Sequence, residues 1–253
     1  FWTSMRFDDT MGVKPGSISV RSRGVAGKLE RTKTSGPGKT VQVLPFFIAF
    51  NAFVEEALWL RTGLGLLEQE FSFERDYLLP LPNADFSGAR KARAVYSDAM
   101  GFSRQLLLGL EDYDQTALVP PLVAGYFTEH SDRGGLDSWC AALQVGKWRR
   151  DFLGRWAASG SADKYVRTAL RVVESLQCQA AAAARKVWAG GPDLFGEEHL
   201  LAELHSFLRE KGASEDDAEG WCTKLVVADT ALPVYDRLLT EALEVAGRQR
   251  EGD

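Results

Sequence analysis

The stretch Thr128-Glu129-His130-Ser131-Asp132-Arg133 decides how this chain of 253 residues is interpreted. His130 and Arg133 stand three positions apart, so on a helix their side chains share one face. Trp156 follows His130 by 26 residues, and Tyr165 comes nine residues after Trp156. Together these residues predict a site that holds one phosphate with charged and hydrogen-bonding groups and attacks it with a phenol.

The composition is that of a globular protein with a full core, since 45% of the residues are hydrophobic and 26% are charged. No run of 18 apolar residues occurs, so the sequence predicts no membrane-spanning helix. Cys140, Cys178 and Cys222 are odd in number and widely spaced, which favours thiols in a reducing, intracellular compartment over a disulfide framework or a metal site. The first residue is Phe1, and we expect the chain to be cut from a longer protein.

The net charge of −5 hides an uneven distribution. Residues 1–50 carry eight Lys and Arg against three Asp and Glu, and residues 147–171 carry seven against two. Residues 191–253 carry six against fifteen. The candidate site therefore lies in basic sequence, as binding of a phosphate requires, and the acid is concentrated in a C-terminal segment.

Alternating and turn-forming residues near the N-terminus predict a small antiparallel sheet after the end of a first helix. The three predicted strands are Ser17–Ser22, Lys28–Lys33 and Val41–Pro45, and residues 35–38 (SGPG) form the turn between the last two. We read residues 78–82 (LLPLP) as a proline-bounded connector. The predicted fold class is α+β and mostly α.

From Phe47 onward, apolar residues recur at helical spacing. The predicted helices are 51–69, 92–111, 120–128, 134–144, 147–153 and 162–188, and two amphipathic stripes follow at 200–208 and 235–246. Gly190-Gly191-Pro192 coincides with the change in charge and is the best candidate for a linker. We therefore predict a domain at 1–190 and an acidic helical appendage at 191–253.

Breaking a phosphodiester requires a nucleophile, cations on the non-bridging oxygens and an acid for the leaving oxygen. Arginine suits the second task because its planar guanidinium can bind two oxygens and stays charged. The chain offers a candidate for each task. The candidates are Arg6 with the supporting Asp9, Lys33 with Lys39 as its rival, His130, Arg133, Trp156 as an N–H donor and Tyr165.

In this order and spacing, these residues resemble the catalytic domain of the tyrosine recombinases, the phage-integrase family that includes Cre. The resemblance covers residues 1–175. It rests on Arg6 with its following acid, the hairpin lysine in residues 31–34 (RTKT), His130-Ser131-Asp132-Arg133, residues 154–156 (GRW) and Tyr165. It implies a helical fold with a three-stranded antiparallel sheet near the N-terminus.

The resemblance also implies the reaction, which is DNA cleavage and rejoining without metal, ATP or any other cofactor. Tyr165 would form a 3′-phosphotyrosine link, Arg6 and Arg133 would clamp the phosphate with help from Trp156, and Lys33 would protonate the 5′-oxygen. His130 would assist phosphate binding and proton transfer, and Asp9 would orient the site. The implied partner is double-stranded DNA, bound by a homotetramer in the nucleus if the organism is eukaryotic.

Two alternatives stay open at this point. A type IB topoisomerase-like enzyme would use the same chemistry on one duplex and relax it. A degenerate DNA-binding module from a mobile element would keep the fold and lose the reaction. The acidic segment after residue 191 has no counterpart in the family and argues somewhat for the degenerate module, and its apolar stripes suggest contacts between protomers.

Overall fold

The structure is a computed structural model that describes residues 1–33, 35–39, 42–85, 87–111, 115–153 and 162–224, without the side chains of 162–168 and 197–199. Contacts divide the chain into two compact units. Unit 1 comprises Phe1–Arg104 and Phe127–Ala182, and unit 2 comprises Gln105–Tyr126 and Ala183–Asp253. The domain boundary that the sequence predicts at residue 190 stays a prediction.

The predicted α+β class with a small three-stranded antiparallel sheet is confirmed. The helices are α1 (Phe7–Met11), α2 (Trp59–Glu70), α3 (Tyr96–Leu108), α4 (Pro121–Tyr126), α5 (Glu129–Ala142), α6 (Lys147–Arg150), α7 (Ala162–Trp188) and α8 (Glu197–Glu210). The strands are β1 (Ser19–Val20), β2 (Gly24–Leu29), β3 (Leu44–Ala49), β4 (Pro80–Pro82) and β5 (Ala89–Arg93). β1, β2 and β3 form one sheet in that order, and β4 and β5 form a separate antiparallel pair.

The last two strands of the sheet lie elsewhere than predicted. β2 ends at Leu29, because Thr32 and Ser35 close a turn in which the Thr32 hydroxyl accepts from the Ser35 N–H at 2.8 Å. β3 begins at Leu44 and runs through Pro45 to Ala49 instead of stopping at the proline. Because β3 is an edge strand, the missing N–H of Pro45 is tolerated.

Three other predicted elements were wrong. Residues 78–82 are not a plain connector, because Pro80–Pro82 pairs with Ala89–Arg93. The helix predicted from residue 92 begins at Tyr96, since β5 occupies the residues before it. α2 begins at Trp59 and not at residue 51, and the Trp59 indole N–H donates to the Ala52 carbonyl at 3.0 Å across the non-helical segment.

The core of unit 1 lies on both sides of α7. Leu176 of α7 is fully buried with Leu136 of α5, and both belong to a cluster that includes Leu153. A second cluster joins Phe47 and Ala49 of β3 to Leu170 and Cys178 of α7, with Trp2 contacting both clusters. Burial of this apolar surface holds α5, α7 and the sheet together.

One buried polar residue, Gln177 on α7, fastens the N-terminal segment to the sheet. Its carbonyl oxygen accepts from the Ala49 N–H at 2.9 Å, and its amide nitrogen donates to the carbonyls of Phe47 and Trp2 at 2.7 and 2.8 Å. All three partners are backbone groups that burial would otherwise leave unsatisfied. Gln177 therefore fixes where the chain enters α1.

Unit 2 contains the α8 helix, which matches the first predicted apolar stripe. Leu208 of α8 is buried, and Phe207 meets the ring of Tyr126 edge-to-face at a centroid distance of 5.4 Å. Residues 215–224 form a further helical segment, in which Ala218 is fully buried. The second predicted stripe, at 235–246, lies outside the described residues.

Candidate active site

The first candidate residue, Arg6, stands at the N-cap of α1. Its backbone N–H donates to a carboxylate oxygen of Asp9 at 3.4 Å, and Asp9 is buried. This bond orders the start of α1, which begins directly after Arg6. The carboxylate of Asp9 therefore contacts the backbone of Arg6, and its orienting role stays a prediction.

His130 and Arg133 lie in the first turns of α5, which begins five residues earlier than predicted. Thr128 caps this helix: its hydroxyl accepts from the His130 N–H at 3.3 Å, and its own N–H donates to the Ser131 hydroxyl at 3.2 Å. This reciprocal cap satisfies N–H groups that the helix leaves open. His130 is exposed and Arg133 half-buried, three positions apart on the same helix.

A carboxylate that sequence reasoning missed, that of Glu129, joins α1 to α5. One of its oxygens accepts from the backbone N–H of Phe7 at 2.8 Å. Phe7 follows Arg6 directly, and Glu129 precedes His130, so this bond brings the two predicted phosphate-binding segments together across 122 positions of sequence. In the sequence alone, Glu129 looks like an ordinary acid in a first helical turn.

The other end of α1 contacts the hairpin that carries Lys33. Gly12 caps α1, and a Cβ there would lie 3.2 Å from the Arg31 carbonyl oxygen, which shows how closely the two backbones approach. α1 has five residues and is therefore about 7.5 Å long. The hairpin and the first turn of α5 thus meet opposite ends of one short helix.

The hairpin separates the two candidate lysines. The Lys39 ammonium donates to the Thr32 carbonyl, which braces the turn closed by Thr32 and Ser35. Lys33 is exposed at the tip side of the same turn, and no contact of its side chain is seen among the described residues. The arrangement favours Lys33 over Lys39 as the lysine that can reach a bound phosphate.

Two acids beside the hairpin already have cation partners. A hydrogen bond from Lys14, at 2.9 Å, lowers the pKa of Glu30. A hydrogen bond from Arg31, at 2.7 Å, likewise lowers the pKa of Asp76. Both ion pairs are exposed to solvent, so they add little to the free energy of unfolding. In each pair, the cation balances the negative charge of the carboxylate.

Two of the predicted site residues lie wholly or partly outside the described residues. Trp156 lies outside the described residues. Tyr165 is the fourth residue of α7, and its side chain lies outside them as well. Leu153, three residues before Trp156, is buried against the α5 and α7 core, which anchors the chain just ahead of that segment.

No family model matches this chain, and comparison with curated proteins and with solved structures found no match either. Across the described ranges, no helix has the length and apolar character needed to cross a bilayer. The same part of the chain contains no group of three or more His, Cys, Asp or Glu side chains that could hold a metal ion.

Proposed function

We propose that this protein cleaves and rejoins DNA strands through a 3′-phosphotyrosine intermediate, as a recombinase with a tyrosine-recombinase type of catalytic domain. The observation that supports the proposal is the hydrogen bond of 2.8 Å from the Phe7 N–H to the Glu129 carboxylate, which joins the residue after Arg6 to the residue before His130. A cluster of these cations is suited to the two non-bridging oxygens of one phosphate.

In the proposed reaction, the Tyr165 hydroxyl gives its proton to His130, its oxygen attacks phosphorus, and the bond from phosphorus to the 5′-oxygen breaks. The DNA is left with a 3′-phosphate esterified to Tyr165, and the departing 5′-oxygen takes a proton from Lys33. Attack by a 5′-hydroxyl reverses these events and rejoins a strand. Arg6 and Arg133 stabilise the added negative charge on the phosphate, with His130 and the Trp156 N–H assisting.

The exposure of Lys33 supports its part in this proposal, because a general acid has to reach a group that arrives from solvent. The proposed partner is double-stranded DNA, bound by four protomers in an intracellular, DNA-associated complex. The amphipathic stripes after residue 191 would supply contacts between protomers. Truncation after Gly190 should then abolish assembly on DNA, and unchanged association of the truncated chain would refute this part.

The test uses a pool of short duplexes with a randomised centre and a nick just downstream of it. Cleavage next to the nick releases a short fragment that carries the 5′-hydroxyl. Because this fragment diffuses away, rejoining is prevented and the covalent adduct accumulates. The wild-type chain should give a covalent protein–DNA band in denaturing electrophoresis. Tyr165→Phe should give none, while Tyr126→Phe, which alters an exposed tyrosine of unit 2, should keep it. An adduct that survives Tyr165→Phe would exclude this nucleophile.

The product identifies the type of enzyme. Strands exchanged between two duplexes support the proposed recombinase, whereas a plasmid relaxed without exchange would point to the topoisomerase-like alternative. A wild-type chain that binds the pool but forms no adduct at any substrate concentration would contradict strand cleavage and leave a binding module.

A further inference from the structure

The β4–β5 ribbon carries a concentrated positive charge that the candidate site does not use. β5 reads Ala-Arg-Lys-Ala-Arg and contains no acid, and Arg90, Lys91 and Arg93 are all exposed. The paired strand β4 is Pro-Leu-Pro, and the ribbon is separate from the three-stranded sheet. A two-stranded ribbon with an exposed basic strand is a shape that proteins use to contact DNA.

Two contacts fix this ribbon beside α1. The Leu78 N–H, just before β4, donates to the Met11 carbonyl at 3.4 Å. At the end of β5, a guanidinium nitrogen of Arg93 lies 3.6 Å from an oxygen of Asp8. Asp8 is two residues after Arg6, so this contact places the end of β5 beside the first turn of α1.

An aromatic ring gathers two cations at the base of the ribbon. The Lys91 ammonium lies 5.6 Å from the centroid of Phe73, and the Arg75 guanidinium lies 5.3 Å from the same centroid. Arg75 also donates to the Leu78 carbonyl at 3.2 Å, which holds it in place. Attraction to the ring keeps two like charges close together where repulsion alone would separate them.

The one acid at the ribbon's tip limits where an anion can bind. The hydroxyl and N–H of Ser87 donate to Asp85 at 2.7 and 3.1 Å, and this bonding lowers the pKa of Asp85. A charged carboxylate at the tip repels phosphate. The basic surface is therefore strand β5 and its base at Phe73, not the loop.

We propose that the exposed cations of β5 bind the phosphate backbone of the DNA that flanks the cleaved phosphate. The inference rests on the proposed function, because its argument is continuity with Arg6. Arg93, at the end of β5, contacts Asp8 in the first turn of α1, the helix whose N-cap is Arg6. A duplex that sets one phosphate at Arg6 brings its neighbouring phosphates to β5.

The experiment measures binding of a 30-base-pair duplex by fluorescence anisotropy over a series of KCl concentrations. Each phosphate contact contributes about 0.9 to the slope of log K against log salt, so Arg90→Gln/Lys91→Gln/Arg93→Gln should lower the magnitude of that slope by about 2 to 3. A control variant, Arg61→Gln/Lys186→Gln, removes two exposed cations that lie outside the basic segments 1–50 and 147–171. It should change the slope by less than about 1.

Two further variants keep the test decisive. Arg90→Lys/Arg93→Lys retains the charge and should retain the wild-type slope. If the triple variant does not fold, Lys91→Gln alone should lower the slope by about 1. A wild-type slope in a folded ribbon variant that carries Gln in place of its cations overturns the proposal. A second result would also overturn it: a ribbon variant that no longer binds a poly-glutamate peptide but keeps the wild-type salt dependence of DNA binding. The partner of the ribbon would then be an acidic protein.

The two proposals fail separately. Tyrosine adducts together with an unchanged salt slope in the ribbon variant would refute the ribbon contact and leave strand cleavage intact. A ribbon-dependent slope without any adduct from the wild-type chain would refute strand cleavage and leave the ribbon as a DNA contact.

Discussion

The backbone N–H of Phe7 and the carboxylate of Glu129 meet at 2.8 Å and close a loop of 122 positions. Glu129→Ala should therefore lower adduct formation at least tenfold, because Arg6 is no longer held beside His130. The lost hydrogen bond to a charged group should cost about 1–3 kcal/mol in the free energy of unfolding, measured in urea. Glu129→Gln keeps an acceptor oxygen and should recover most of both.

The control for Glu129 is an acid without a comparable task. Glu68 is exposed on α2, so Glu68→Ala should leave the adduct yield unchanged. It should change the free energy of unfolding by no more than about 0.5 kcal/mol. Equal losses in both variants would show that net charge, and not the α1–α5 contact, determines the effect.

The two hairpin lysines should respond in opposite ways. Lys33→Ala should reduce cleavage of an ordinary duplex about 100-fold or more with little change in stability, since a general acid contributes about 10²–10⁴. Lys39→Ala should lower the free energy of unfolding by about 0.5–1.5 kcal/mol, because Lys39 donates to the Thr32 carbonyl, and should spare cleavage.

A sulfur substitution in the DNA makes the Lys33 test specific. Replacing the leaving 5′-oxygen by sulfur produces a thiolate, which needs no proton, since thiols have pKa values near about 8.5. This substrate should restore cleavage by Lys33→Ala to within about tenfold of wild type, and it should not restore cleavage by Tyr165→Phe. Failure to rescue Lys33→Ala would remove the acid role from Lys33.

Gln177→Leu should destabilise unit 1 by about 2–5 kcal/mol in urea unfolding. The buried Ala49 N–H and the carbonyls of Phe47 and Trp2 would lose their partner, and one unsatisfied buried group costs about 1–3 kcal/mol. Gln105→Leu, at an exposed position, should stay within about 0.5 kcal/mol of wild type. Similar losses at both sites would show that the Gln177 network contributes nothing.

Stability should fall in alkaline solution because of Cys140. Burial raises the pKa of this thiol to about 11, from 9.0 when it is exposed in the unfolded chain. Between these values the folded state binds more protons than the unfolded state, so the free energy of unfolding decreases as the pH rises, by at most about 1.4 kcal/mol per pH unit. Below pH 9 the contribution is fully present. Cys140→Ala should remove this part of the pH dependence, and an unchanged alkaline slope would contradict it.

The sequence predicts elements well where one physical signal dominates. Residues 162–188 keep helical spacing without proline or glycine, and α7 has those bounds. It predicts poorly where side chains compete with the backbone: hydroxyl bonding at Thr32 and Ser35 ends β2 early, and an edge position lets β3 continue through Pro45. Those effects depend on tertiary placement, which spacing alone does not reveal.

The candidate site shows the same difference between what local sequence signals predict and what tertiary placement decides. Motif spacing identified His130 and Arg133, and the structure places them on one helix near Arg6. The contribution of Glu129 could not be predicted, because its partner is a backbone N–H far away in sequence. The structure shows that Lys39 donates to the Thr32 carbonyl, and the choice of Lys33 over Lys39 as the acid stays a prediction.

The hydrogen bonds from Gln177 to the carbonyls of Trp2 and Phe47 span 175 and 130 positions of sequence. They can form only after α7 has been synthesised. Long-range contacts of this kind close late, because the chain between them has to be ordered first. A ribosome that has made only the first 150 residues holds a chain without Gln177, and therefore without the bonds from Gln177 to Trp2 and β3. We expect such stalled chains to lose their first 15 residues to protease, and full-length chains to keep them. The assembly of the proposed phosphate-binding residues would then depend on the timing of translation.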